Sequence, residues 1–213
     1  MSSLRFEVVG ARPEAHAAEP TLLLRLRVED TSGAAVHAVA LRCQIRIEPQ
    51  RRRYGPAEEA RLNELFGEAP RWGDTLRPFP WAHVGTVLAG FRGATETDLP
   101  VTCTYDLEVA AAKYFHALED GEVPLILLFS GTVFRPGGSG MSAEPIGWDQ
   151  EATFRLPVAT WRAVMDRYFP HSGWLRLHHD TLDALRDFKV AHALPTWDQA
   201  IERLLKQAGE EGR

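Results

Sequence analysis

The sequence has almost no cysteine: Cys43 and Cys103 are the two in 213 residues. A chain of this length buries roughly 70% of its unfolded surface, so it needs neither a disulfide nor a metal staple. Both thiols fall on inward faces of predicted strands. They read as small core hydrophobes in a reducing compartment, which points to the cytoplasm. Long apolar runs are missing as well. The longest, Val123 to Phe129, is interrupted by Pro124 and is far too short to span a bilayer. No apolar segment follows a basic start at Met1–Phe6, so no signal peptide is expected. There is no positive excess either. The net charge is −5, which disfavours nucleic acid as the main partner.

Motifs of the common catalytic folds are also absent. No Gly-x-Ser-x-Gly nucleophile elbow occurs. Ser130-Gly131-Thr132 and Gly137-Gly138-Ser139-Gly140 are rich in small residues, but they lie between strands. A phosphate cradle needs a helix N-terminus after the glycines, so these read as turns.

What is present is the composition of a globular domain, with 45% apolar and 25% charged residues. Period-2 alternation dominates the first half. Leu22, Leu24, Leu26 and Val28 oppose Arg25 and Arg27. Val39, Leu41, Cys43, Ile45 and Ile47 oppose Arg42, Gln44 and Arg46. Leu4 to Val9, Val101 to Val109, Leu125 to Phe134 and Glu151 to Leu156 complete about six strands. Pro56 to Phe66 predicts a helix between strands, with Pro at its first position and Gly67 past its end. Ala110 to Leu118 is either a helix or a strand continuing past a bulge. Glu68 to Pro100 reads as a long irregular loop carrying Trp72, Phe79 and Trp81, and loops of that length tend to be functional. About three helices fill the last third. Pro157 to Phe169 has Trp161 inward, Asp180 caps the second, and Thr196-Trp197-Asp198-Gln199 opens the third. The expected fold is α+β: an antiparallel sheet or sandwich over 1–156 with a helical segment, 157–208, packed on it as one domain.

Candidate sites follow from residue type. The six tryptophans are the least ordinary feature. Trp161 and Trp197 sit on apolar helix stripes. Trp72, Trp81, Trp148 and Trp174 lie beside Pro or Gly, where aromatic residues anchor either a loop or a partner. Arg42, Arg46 and Arg52 form a basic stripe that could grip an acidic partner or phosphate. Trp72, Trp81, Phe79, Arg42, Arg46 and Arg52 are therefore the candidate partner-binding residues. His178 and His179, with His171 and Asp180, are the candidate metal ligands, although surface histidines flanking a cap are the commoner explanation. Asp106 and Glu108 share a strand face and could act as an acid–base pair, although alternating acids on a wet face are commoner. No cofactor is indicated.

The run Cys103-Thr104-Tyr105-Asp106-Leu107-Glu108-Val109-Ala110, then Leu128-Phe129-Ser130-Gly131-Thr132-Val133-Phe134, Trp148, Tyr168-Phe169-Pro170 and Trp174, resembles a bacterial family encoded beside uptake nickel–iron hydrogenases. That resemblance covers nearly the whole chain and implies an accessory or assembly role. Phe6-Glu7-Val8, Pro20 and the strand Val39 to Ile47 resemble the start of the SecB-type export chaperone, which implies binding of unfolded chains on apolar grooves. The expected function is thus a non-enzymatic protein-binding or assembly accessory, a chaperone-like helper of a metalloenzyme such as a hydrogenase. It would have a protein partner, with homo-oligomers open. The alternative is a metal- or carboxylate-dependent hydrolase using Asp106, Glu108 or His178–Asp180.

Overall fold

Alternation of buried and exposed side chains builds two sheets. A computed structural model describes residues 3–104, 106, 109–137, 140–170, 172 and 175–211, without the side chains of 210 and 211. Strand β2 (Thr21–Asp30) buries Leu22, Leu24, Leu26 and Val28 completely. It pairs antiparallel with β1 (Leu4–Pro13) on one side and with β5 (Ala94–Thr102) on the other. In the second sheet β3 (Ala35–Ile47) lies between β4 (Phe79–Arg92) and β6 (Glu122–Gly137). The far side of β6 is divided. Its second half pairs with β7 (Gly140–Pro145) and its first half with β8 (Glu151–Pro157). The apolar faces of the two sheets meet, and Phe6 of β1 stacks on Phe129 of β6 at a ring distance of 4.2 Å. The fold is α+β and mainly antiparallel.

Helices α1 (Pro56–Phe66), α2 (Trp72–Thr75), α3 (Ala110–Ala117) and α4 (Val158–Tyr168) belong with the sheets in one compact unit, Met1–Trp174. Helix α4 buries Val158, Trp161, Val164 and Met165. Helices α5 (His179–Ala191) and α6 (Trp197–Glu211) form a second unit, Leu175–Arg213. The division between the two units thus falls after α4. Among the described residues no helix is long and apolar enough to cross a membrane.

Four local expectations are corrected. Glu68 to Pro100 is not an irregular loop: it holds α2, the fourteen-residue β4 and most of β5. Glycines and apolar residues on the outer face of β4 (Gly85, Val87, Ala89) hide its alternation, and its one proline, Pro80, lies at the start of the strand beside the bulge. The strand expected to reach Val109 stops at Thr102, and Ala110–Ala117 is helical. Tyr105, Leu107 and Glu108 lie outside the described residues, as do Gly138, Ser139, His171 and Trp174. His178, not Asp180, occupies the N-cap position of helix α5, without a side-chain capping bond, and Asp180 lies in the first turn. The stripe of α6 is not core: Trp197 is 42% and Leu205 67% exposed. Its own unit supplies only one other helix to cover it. The Thr196 cap does form, with the Gln199 N–H donating to its hydroxyl at 3.2 Å.

Gly131 marks the hand-over along β6. Its φ is +141°, and a Cβ there would lie 2.0 Å from the Ala40 carbonyl oxygen of β3. Neither backbone can yield without breaking the ladder. Gly131→Ala is expected to lower stability by about 3 kcal/mol, through overpacking and strain. Thermal and urea unfolding check this, with the exposed Gly85→Ala as the mild control.

Candidate functional site

Both sheets carry a charge where their alternation calls for an apolar side chain. In β2 the inward series Leu22, Leu24, Leu26, Val28 continues to Asp30. In β6 the series Leu125, Leu127, Phe129, Val133 continues to Arg135. A charge at an inward position needs a counter-charge. Here each is the other's: Arg135 Nη1 donates to Asp30 Oδ2. The two side chains are 10% and 0% exposed. Arg135 Nη2 also donates to Ser3 Oγ at 2.7 Å, and Nε to Glu144 Oε2 of β7 at 3.3 Å. The Ser32 N–H donates to Asp30 Oδ1 at 2.9 Å. Burial alone would raise the Asp30 carboxyl, but hydrogen bonds from Arg135, Ser32 and Ser3 outweigh it and hold the pKa at about 2. This clamp ties the first sheet to the second at one end of the unit.

Beside the clamp, β7 gives way to β8 through residues 146–150. Both ends of this loop are fixed to β6. The Ile146 N–H donates to the Gly131 carbonyl at 3.0 Å, and the Phe129 N–H donates to the Gln150 carbonyl at 2.9 Å. Ile146 is buried and anchors the loop, whereas Trp148 at its tip is 97% exposed. Loop and clamp border an open cavity of about 680 Å³, lined by Ser32, Val133, Arg135, Glu144, Trp148 and Asp149 among others. The guanidinium of Arg135 is directed to Asp30, Ser3 and Glu144. The cavity therefore offers a visitor an indole, the Asp149 carboxylate and the half-exposed Glu144, whose Oε2 accepts from Arg135. That set suits an apolar side chain with a cationic end.

The residues singled out from sequence lie elsewhere. Trp72, Phe79 and Trp81 are half-buried in an aromatic cluster under α1 and α3. Trp72 Nε1 donates to the Gly67 carbonyl at 2.8 Å, and its ring meets Tyr54 edge-on at 5.3 Å. Phe79 lies 5.7 Å from Tyr114, and Trp81 lies 5.0 Å from Phe115. Trp81 is the extra residue of a bulge between the Ile45–Ala82 and Arg46–Pro80 pairs, which turns its ring toward α3. These three anchor their own segment. The basic stripe is also broken up. Arg42 is exposed beside a second cavity, of about 500 Å³, with Gln44, His83 and Ser130. Arg46 donates to the Pro78 carbonyl at 3.3 Å. Arg52 is a structural ion: it pairs with Glu58, and the two side chains are 8% and 6% exposed.

His178, His179 and Asp180 are exposed at the start of α5. Among the described residues no three His, Cys, Asp or Glu side chains converge to hold a metal ion. Asp106 sits in a turn closed by its N–H to Thr104 Oγ1 at 3.1 Å. Cys43 and Cys103 are buried as expected, and burial pushes each thiol up to about 12.

Residues 1–213 match the Family of unknown function (DUF6084). The chain belongs to that family. No curated protein matches it. Among solved structures, a β-glucosidase from Kluyveromyces marxianus aligns with a TM-score of 0.28 and 6% identity, over 72% of this chain and 15% of that one. Spo0M, a sporulation control protein from Bacillus subtilis, aligns with a TM-score of 0.30 and 12% identity, over 88% of this chain and 56% of that one. Such likeness is too slight to carry an argument about fold or function.

The clamp makes a prediction for this family member. Arg135→Met leaves Asp30 buried and unpaired, and is expected to cost about 3–5 kcal/mol at pH 7. Asp30→Asn in the same chain should recover most of that loss. The Asp30 pKa is lowered from 3.8 to about 2 on folding. Its stabilisation is therefore complete above the unfolded value and is lost as pH falls toward 2, a change of about 2 kcal/mol. Urea unfolding between pH 2 and pH 7 should show an acid loss of stability that is smaller in the double variant than in the parent chain by about this amount.

Proposed function

We propose that this chain is a non-catalytic protein-binding accessory that docks its partner on the surface around Trp148. The observation that carries the reading is the exposure of that one ring. Trp148 is 97% exposed at the tip of a loop whose two ends are hydrogen-bonded to β6. The loop backbone is already held, so docking has only the two side-chain torsions of the tryptophan left to fix, which suits an interface anchor. Glu144 and Asp149 beside it, on a chain of net charge −5, favour a partner that presents Lys or Arg. The resemblance to proteins encoded beside uptake nickel–iron hydrogenases makes the subunits of such an enzyme the first partners to test, in an assembly or chaperone-like role.

The test is co-purification of the tagged chain with hydrogenase subunits from a shared expression host, followed by titration. Trp148→Ala is expected to weaken the complex at least about 30-fold, the size of an interface hot spot. Because the ring makes almost no contact within the chain, the melting temperature should not move. Asp149→Lys should slow association and flatten its salt dependence. Undiminished binding by Trp148→Ala would reject the surface. Failure of every hydrogenase subunit to bind would reject that class of partner.

A further inference from the structure

The chain has edge strands at both ends of each sheet, and they are not equally protected. Exposed strand edges invite pairing with another chain, and proteins guard them with charge, proline, bulges or shortness. In the first sheet β5 carries Glu96, Asp98 and Pro100. Strand β1 carries Arg5, Glu7, Arg12 and Pro13, and a bulge between Val8 and Gly10. In the second sheet the edge opposite β4 is broken into the short strands β7 and β8, with Glu144, Pro145, Glu151 and Arg155 along it. Strand β4 has such guards at its ends, Pro80 with the bulge at Trp81 and then Arg92, but its middle is different. From Val84 to Phe91 it reads Val-Gly-Thr-Val-Leu-Ala-Gly-Phe, with neither a charge nor a proline. It is the terminal strand of its sheet. Val87 at the middle of this run is 72% exposed.

On the outer face behind that edge the charge is Arg42, one strand in and paired with Gly85; the two rows nearest the end of the run carry none. Val87 pairs with Ala40 and Ala89 with Ala38 on β3. On β6 the same rows continue to Thr132 and Phe134. Directly paired residues project to one face, so these two rows form an uncharged patch that reaches the edge strand.

We infer that β4 is a self-pairing edge, and that a second copy of this chain adds its own β4 antiparallel to it about a twofold axis at Val87. The occupant follows from the sequence of the edge. A twofold interface sets each residue against its own counterpart, so any charge near the axis would face itself. None stands between His83 and Arg92. With Val87 opposite Val87 of the second copy, Gly85 faces Ala89 and Thr86 faces Leu88. Every pair is then uncharged, and both partners of a pair lie on the same face of a continuous sheet. A β-branched residue at the centre, flanked by small ones, suits close strand approach.

The chain should therefore run in light-scattering chromatography at about twice its 23.8 kDa mass. Val87→Lys places like charges across the axis and should weaken the dimer at least about 100-fold. Its far-UV spectrum and melting behaviour as a monomer should stay native, because residue 87 is exposed. Val87→Cys gives an independent measurement. Cys43 and Cys103 are buried, so the new thiol is the accessible one, and mild oxidation should link two copies. Arg25→Cys, on the outer face of the other sheet, should not link. A chain that stays monomeric at roughly 100 µM overturns the inference, as does a dimer that Val87→Lys leaves intact. If the chain is monomeric and Val87→Lys instead abolishes binding of a different protein, the edge belongs to that protein and self-pairing is wrong.

Discussion

The outer side of β6 has more hydrogen-bonding length than either of its neighbours can satisfy, and much of the second sheet follows from that mismatch. Strand β6 is sixteen residues long, whereas β7 has six and β8 seven. Unpaired backbone groups are costly inside a fold, so two short strands must share the one side. The hand-over falls at Gly131, where β6 approaches β3 too closely for any side chain. The five residues between β7 and β8 cannot lie in the ladder, and they bow outward carrying Trp148. The same run of β6 continues to Arg135, which reaches back to Asp30 on the other sheet. One strand thereby sets both the position of the exposed ring and the polar floor next to it.

The aromatic cluster explains why other rings, equally conspicuous in the sequence, are unavailable to a partner. Tyr54, Phe66, Trp72, Phe79, Tyr114 and Phe115 meet at ring distances between 5.3 and 6.4 Å. Helix α1 has only a narrow apolar stripe and α2 is a single turn. Neither could hold itself on the sheets without large rings to bury. The Tyr54 hydroxyl, 2.7 Å from both the Tyr114 hydroxyl and the Pro49 carbonyl, satisfies the polar tips that this burial brings in. Trp72 and Trp81 work in the same way, as anchors of the segment that carries them.

How far the sequence could be read depended on whether alternation was intact. Strands β2 and β3 were legible residue by residue, because each has one dry and one wet face. Helices α1 and α4 were legible from proline, glycine and spacing. Strand β4 was not, since Val87, Gly85 and Ala89 on its outer face erase the contrast that marks a strand. The clamp went unread, although part of its signal was there. Asp30 and Arg135 each continue an inward apolar series, and a charge in that position announces a buried counter-charge. Nothing in the sequence says that residues 105 positions apart supply it to each other. Trp148 was visible as a loop aromatic beside glycine. What separated it from Trp72 and Trp81 was burial, which depends on the packing of α1 and α3 and leaves no local signature.

The two exposed features lie at opposite ends of one sheet, and this decides whether they compete. Strand β4 is at one edge and the β7–β8 loop is at the other, with β3 and β6 between them. Three strand spacings of about 4.8 Å separate them by roughly 14 Å at the backbone. A strand added to β4 extends the sheet away from Trp148 and leaves that ring free. A dimer joined at Val87 would therefore carry two Trp148 surfaces, one at each far edge of the extended sheet. A partner that presents two copies of its own site would then be held with an effective concentration set by that fixed span, and bound more tightly than one surface allows. On this geometry self-pairing and partner docking reinforce each other, so loss of the edge would weaken binding to a dimeric partner and spare binding to a monomeric one.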